Sequence, residues 1–196
     1  GLVSDNAISS EIKKRTLFPC FFGSALKMDG IDEFLKSLDK YTTMPQAINE
    51  FGAKVYKISH DTDGKRLTHL KITGGALKSK AVLEITEADG TITSEKVDNI
   101  RIYSGEKFTS TDTVSQGTVC AVTGLTKTVA GMGLGFERDT KKPVLEPVLT
   151  YKLEILDNTD VHTALTKLRI LEQEDPQLRI IWNELLREIH IQLMGE

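Results

Sequence analysis

Apolar and polar positions alternate twice between residues 51 and 77: once through Phe51-Gly52-Ala53-Lys54-Val55-Tyr56-Lys57-Ile58, and again through Arg66-Leu67-Thr68-His69-Leu70-Lys71-Ile72-Thr73. Asp61-Thr62-Asp63-Gly64 separates the runs. A period of two, enrichment in Val, Ile and Thr, and an Asp/Gly cluster at the break predict two antiparallel strands joined by a turn. Shorter β-branched runs follow at Ala81-Val82-Leu83-Glu84-Ile85, over 91–103 with Val97, Ile100 and Ile102 facing inward, and over 117–125, with Glu87-Ala88-Asp89-Gly90 as a further turn. Several short strands with regular turn punctuation predict a closed antiparallel β-barrel. Pro45 and the polar 46–50 stretch read as a linker before it, and Pro143 and Pro147 bracket a second linker after it.

On either side of this region the period changes to that of a helix. Asp5 is placed to cap a helix over 8–15 that ends in Lys13, Lys14 and Arg15, where basic side chains suit the helix C-terminus. Leu17-Phe18-Pro19-Cys20-Phe21-Phe22, closed by Gly23, has the apolar continuity of a buried strand. Asp29 and Gly30 open a second helix in which Ile31, Phe34, Leu35, Leu38 and Tyr41 make one apolar face. Toward the other end, Leu149, Tyr151, Leu153 and Ile155 alternate as a half-buried strand. Asp160 caps a helix carrying Val161, Ala164, Leu165, Leu168 and Leu171, which Asp175-Pro176 stops. Two more strands are predicted over 178–182 and 188–194. Strand, helix, strand, strand is the first part of a split β-α-β-β-α-β unit, so a small sheet with one half-covered face is expected, either mobile or paired with a second copy through its exposed edge.

Composition narrows the function classes. The 196 residues are 39% hydrophobic and 27% charged, within the range of a globular protein. A formal net charge of −3 excludes binding to nucleic acid by bulk electrostatics, so any RNA contact must be local, and DNA binding is not expected. Cys20 and Cys120 stand apart with no metal-ligand spacing, the four histidines form no cluster, and no run is long enough to span a membrane or act as a signal peptide. A cytoplasmic setting is expected, with no membrane partner. His60 and His69 read as surface or packed histidines. Carboxylate pairs such as Asp32/Glu33 and Glu172/Glu174 lie on charge-rich helices and read as solvated faces. No nucleophile-base pattern suggests itself. No Gly-x-x-x-x-Gly-Lys-Ser/Thr phosphate loop occurs, and the one glycine-dense run, Gly131-Met132-Gly133-Leu134-Gly135, reads as a turn.

The order strand, Asp-x-x-Gly turn, Arg66-Leu67-Thr68, strand, Gly75-x-Leu77 resembles the opening hairpin of the second-domain β-barrel in elongation factor G-like translational GTPases. The run from Lys65 to Gly75 leans toward the tetracycline ribosomal protection proteins among them. Lys96-Val97-Asp98-Asn99-Ile100 followed by 117–125 resembles the last strands of that barrel. Gly23-Ser24-Ala25 resembles the guanine-recognition loop that precedes it.

The resemblance implies a multidomain, mainly β protein in three parts: 1–43 as the end of a GTP-binding domain, 44–145 as the translation-factor barrel, and 146–196 as the first part of a ferredoxin-like α+β domain. It implies an internal fragment of a longer GTPase that uses GTP and Mg²⁺, the fragment itself being inactive and free of cofactor. It places Ser24, Ala25 and Leu26 at the guanine, and Lys65, Arg66, Lys78 and Lys80 as candidates to meet small-subunit ribosomal RNA. It implies that the whole protein confers tetracycline resistance by ribosomal protection. Two alternatives stand beside that reading: an ordinary translocation factor of the same fold, and a barrel that serves only as a structural adaptor without RNA contact.

Overall fold

The computed structural model describes residues 4–42, 46–87, 89–140, 147–155, 159–175 and 177–194. Pro45, Ala88, Pro143, Pro176 and the terminal Gly195-Glu196, on which parts of the linker, turn and helix-stop expectations fall, lie outside them. The chain forms two compact units, 1–46 and 47–196.

In the first unit, α1 (Asp5–Lys13) begins at Ser4, whose hydroxyl accepts from the Ala7 amide, with Asp5 inside the first turn rather than capping it. A single 3-10 turn (Ala25–Lys27) follows, and α2 (Ile31–Tyr41) starts from Gly30 at φ 73°. Lys40 Nζ reaches Asp5 Oδ1 at 2.7 Å, tying the two helices together. The strand expected over 17–22 does not form. Phe18 and Phe22 are 74% and 93% exposed, and among the described residues the one backbone bridge here is Ser24 with Asp29. An apolar run needs a neighbouring ladder to become a strand, because an unpaired strand leaves its N–H and C=O groups without partners. Phe21 instead packs edge-on against Phe34 of α2, with ring centroids 5.6 Å apart.

The second unit is mainly β. β1 (Gly52–His60) and β2 (Arg66–Gly74) form the expected hairpin, and their turn is fixed by Asp61, whose carboxylate accepts from the Asp63 and Lys65 amides. Then come β3 (Ala76–Lys78), β4 (Val82–Thr86), β5 (Ile92–Lys96), β6 (Ile100–Ser104), β7 (Lys107–Thr111), β8 (Thr113–Ser115), β9 (Val119–Val122) and β10 (Gly133–Gly135). Six of these make one antiparallel sheet in the order β10-β1-β2-β9-β6-β7, while β3-β8 and β4-β5 are two-stranded ribbons. Backbone bonds join the ribbons to each other and to the sheet: Lys80 N–H donates to Val97 O, Asp98 N–H to Thr123 O, and Gly117 N–H to Ile72 O of β2. One core results, built on Val55, Ile58, Leu70, Ile72, Leu77, Ile85, Val97, Ile100, Val122, Leu125 and Leu134.

Two expectations in this region are corrected. The glycine-dense run is not merely a turn, since Gly133-Leu134-Gly135 pairs with β1 and Leu134 is buried. Gly135, at φ 66°, lies where any Cβ would stand 2.0 Å from Phe51 O, so glycine is what permits that close pairing. The 91–103 run divides into β5 and β6 around buried Val97. Ile102 is 36% exposed rather than buried: the β6–β9 ladder stops at Arg101, and from Ile102 onward β6 is paired with β7 alone.

After residue 147, β11 (Leu149–Lys152), α3 (Val161–Glu174), β12 (Arg179–Asn183) and β13 (Glu188–Leu193) complete the second unit. Their sheet order is β11-β13-β12, all antiparallel. Asp160 caps α3 as expected, its carboxylate accepting from the Thr163 amide. Glu172, expected on a solvated face, accepts from the Ile180 amide at 2.8 Å and so fixes α3 to β12.

Candidate nucleic-acid interface

Of the four candidate cations, three are exposed lysines and the fourth, Arg66, is half-buried. Lys78 ends β3 and Lys80 follows it in a tight turn at φ 66°, both exposed. That turn is held from inside. Ser79 N–H donates to Asp112 O at 2.8 Å and Lys80 N–H to Val97 O at 2.8 Å, so backbone bonds aim both side chains outward. Lys80 Nζ lies 3.6 Å from Asp98 Oδ1, with both side chains 58% exposed, which is a weak and easily exchanged pair. Lys65 is also exposed but sits in the β1–β2 turn, whereas Lys78 and Lys80 follow the far end of β2.

Arg66 differs from the other three. Its guanidinium faces inward, and Nη1 donates to Thr68 Oγ1 at 3.1 Å, Leu125 O at 2.6 Å and Thr128 Oγ1 at 3.0 Å. Nη2 donates to Thr128 O, and Nε donates to Gln173 Oε1 at 3.1 Å. All three guanidinium nitrogens are therefore engaged, and burial holds the group below the usual arginine range. With five bonds to protein acceptors, the side chain is a structural tie between the first hairpin, residues 125–128 and α3. The sequence could not reveal this, since Leu125 and Thr128 lie about sixty residues away.

Of the three guanine-loop candidates, Ser24 is committed, its amide donating to Asp29 O at 2.9 Å. Ala25 and Leu26 begin the 3-10 turn, and among the described residues neither amide donates to a protein acceptor; Leu26 is 95% exposed. Two amides without a protein acceptor among the described residues, one beside a small side chain and one beside an exposed one, leave this turn able to donate to an external acceptor. No group of His, Cys, Asp and Glu able to hold a metal exists among the described residues, and no helix there is long and apolar enough to cross a membrane.

Sequence reasoning missed a row of rings on the outer face of the large sheet. A β-bulge between Val55 and Lys57 turns two consecutive side chains, Tyr56 and Lys57, outward. Beside them come His69, Tyr103 and Phe108, with successive centroids 5.9, 6.2 and 5.4 Å apart. Ser59 Oγ and His69 Nε2 share a hydrogen bond of 2.8 Å. Arg101 lies 4.3 Å from the Phe108 ring centre and donates from Nη1 to Asp61 Oδ2 at 3.0 Å. The signal is present as Arg101 and Tyr103 at i and i+2 on one strand, opposite a short run containing Phe108, but pattern alone does not identify that run as the partner strand.

No protein-family model matches the chain. The tetracycline resistance protein TetP of Clostridium perfringens is 23% identical over 96% of this chain and 29% of its own length. Elongation factor G of Ureaplasma parvum serovar 3 is 26% identical over 92% of the chain and 29% of its own length, and elongation factor G 2 of Syntrophus aciditrophicus is 26% identical over 99% and 32%.

The chain is a homologue of elongation factor G and TetP.

It spans about 30% of the length of these curated relatives. A solved protein of Thermus thermophilus shares the fold, with a TM-score of 0.76 over 98% of this chain and 30% of that one at 20% identity. The chain presents Lys78 and Lys80 on a braced turn, ties Arg66 to its own acceptors, and carries a ring-lined sheet face.

Proposed function

We propose that the chain is part of a ribosome-binding translational GTPase, and that residues 44–145 act as a translation-factor-type β-barrel docking on small-subunit ribosomal RNA. The observation that carries this is the similarity to elongation factor G and TetP across 92% or more of the chain. The six-stranded sheet, closed over its core by the two ribbons, is consistent with such a barrel. In this reading 1–43 is the end of the GTP-binding domain and 146–196 the first part of a ferredoxin-like domain. The parent binds GTP with Mg²⁺, and the Ala25 and Leu26 amides are the groups in this chain that would meet the guanine carbonyl.

Lys78 and Lys80 carry the RNA contact, with Lys65 as a separate cation at the other end of β2. Lysines of this kind reach phosphates, so binding should have little sequence preference and fall steeply with salt. Exchanging Lys78 and Lys80 for Glu in the full-length parent tests this by sedimentation with ribosomes. Loss of binding, worse at higher salt, is expected; unchanged binding would favour a barrel that only sets the angle between its neighbours.

For the parent's activity we propose ribosomal protection against tetracycline, supported by the similarity to TetP and by the Lys65 to Gly75 run. Translocation is the second reading, supported by the elongation factor G relatives at comparable identity. Growth of cells expressing the full-length parent on tetracycline separates them. Raised tolerance supports protection, and unchanged tolerance with rescue of a depleted elongation factor supports translocation.

A further inference from the structure

The ring row on the outer sheet face is a candidate for a second contact, distinct from the Lys78 and Lys80 turn. His69 of β2, Ala121 of β9 and Arg101 of β6 occupy one line of paired residues across the sheet, and Tyr103 and Phe108 are paired on β6 and β7. Ala121 lies in the middle of that line on the outer face, yet it is fully buried. The flanking rings and the guanidinium therefore form a continuous cover over the sheet rather than isolated side chains. The cover is itself open to solvent, with Tyr56 50% exposed, Tyr103 36% and Phe108 45%.

Charge decides what such a surface takes. Lys57 stands beside Tyr56 at one end of the row and Lys107 beside Phe108 at the other. Both are exposed, and neither is in an ion pair among the described residues. Arg101 faces the Phe108 ring, and its one carboxylate partner, Asp61, is already occupied by two backbone amides. Rings spaced by five to six ångströms, flanked by free cations, match a polymer of flat bases joined by phosphates. Stacking of unpaired bases on aromatic side chains is tolerant of sequence, and nearby lysines hold the backbone. A duplex buries its base faces and cannot use such a row.

We propose that Tyr56, His69, Tyr103 and Phe108, flanked by Lys57 and Lys107, form a stacking platform for unpaired RNA bases. The inference rests on the RNA-facing role proposed for this unit but uses a different face of it. The bulge between Val55 and Lys57 is what makes the platform, because it brings a ring and a cation to the same side of β1 in consecutive positions.

The test uses the whole 196-residue chain, with fluorescein-labelled oligoadenylate and a duplex RNA of equal length, followed by fluorescence anisotropy. Oligoadenylate should bind more tightly than the duplex. Tyr56→Ala and Phe108→Ala should each weaken oligoadenylate binding roughly fivefold or more, and Tyr56→Phe, which keeps the ring, should restore it. Both positions are half exposed, and unchanged thermal unfolding would verify that the alanine variants keep their fold. A Lys78→Glu, Lys80→Glu chain should keep the same ratio between wild-type and Tyr56→Ala affinities, so failure of the lysine contact reads separately. The proposal is overturned if wild-type chain does not bind oligoadenylate, if the duplex binds equally well, or if the alanine variants bind as wild type. It is overturned too if those variants lose affinity for whole ribosomes while keeping it for oligoadenylate, which would mark the row as a protein contact.

Discussion

His60 Nδ1 lies 2.7 Å from Glu174 Oε1, joining the last residue of β1 to the last residue of α3 across 114 positions of sequence. Beside it Arg66 Nε donates to Gln173 Oε1. The first hairpin of the sheet thus grips the end of the helix through two adjacent side chains, one from each strand. Both histidine and glutamate are partly shielded from solvent, with 18% and 34% of their side chains exposed. Such a pair is worth more than a fully exposed one but is not a buried charge. A double-mutant cycle of His60→Ala and Glu174→Ala, read by chemical unfolding, should give a coupling of about 0.5–1.5 kcal/mol. Either variant should also speed hydrogen exchange in the last turn of α3, and unchanged exchange there would mean that other contacts hold the helix end.

Arg66→Ala should be far more costly. It removes five donated hydrogen bonds and leaves Thr68 and Thr128, both fully buried, sharing one hydroxyl contact of 2.8 Å with no cation between them. A loss of about 2–4 kcal/mol in unfolding free energy is expected. Arg66→Lys should recover only a small part, since an ammonium cannot fork to Leu125 O and both oxygens of Thr128 at once. Recovery to near wild-type stability by lysine would contradict the account.

Stability should fall on the acid side through His69. Burial, and then the neighbouring Lys57 charge, hold this imidazole below its ordinary value of 6.5. A group lowered in the folded state favours folding when neutral, so its contribution is intact above the unfolded value near 6.5 and is lost as pH drops through the lower folded value. Melting temperatures measured between about pH 7.5 and 5 should therefore decline, and His69→Gln should flatten the part of that decline due to this residue. An unchanged slope in the variant would assign the acid sensitivity elsewhere.

Gly124→Ala should be severe where Gly64→Ala is mild. Both glycines have positive φ, +99° and +76°, so both substitutions carry left-handed strain. At Gly64 the added methyl meets open space, whereas at Gly124 it would stand 2.3 Å from Lys96 O and 2.9 Å from the Asp98 amide. About 1 kcal/mol is expected at Gly64 and more than about 2 kcal/mol at Gly124, measured by denaturant unfolding. Equal effects would mean that the β5–β6 junction yields to make room.

The two thiols should separate cleanly. Burial pushes the Cys120 thiol up to about 11, while Cys20 is exposed. An aromatic disulfide reagent at about pH 8 should modify one thiol quickly in the folded chain and the second only on unfolding. Rapid reaction of both would show that the sheet opens at β9.

The elements legible in the sequence are those with strong local signals. The first hairpin could be read because Asp61 and Gly64 punctuate two alternating runs, and α3 because Asp160 precedes a clear apolar stripe. What escaped is decided at long range. Leu17 to Phe22 has the composition of a strand, but an apolar run is no strand without a ladder beside it. Gly133 to Gly135 resembles a turn because glycine density hides a short edge strand whose partner lies far back in the chain. Arg66 has the look of a surface cation because its acceptors are contributed by residues 125, 128 and 173. Glu172 and Glu174, expected on solvated faces, anchor α3 to β12 and β1 for the same reason.

β1 acquires one neighbour at once, from β2, and the other only when Gly133 comes to lie opposite Lys54, about eighty residues later. During synthesis the hairpin can therefore form early, but its free flank stays available until residue 135 has left the exit tunnel. Nascent chains stalled before that point should be prone to sticking to one another, and those stalled well after it should resist protease, so translation pausing within 75–135 becomes a hazard that the finished molecule does not reveal.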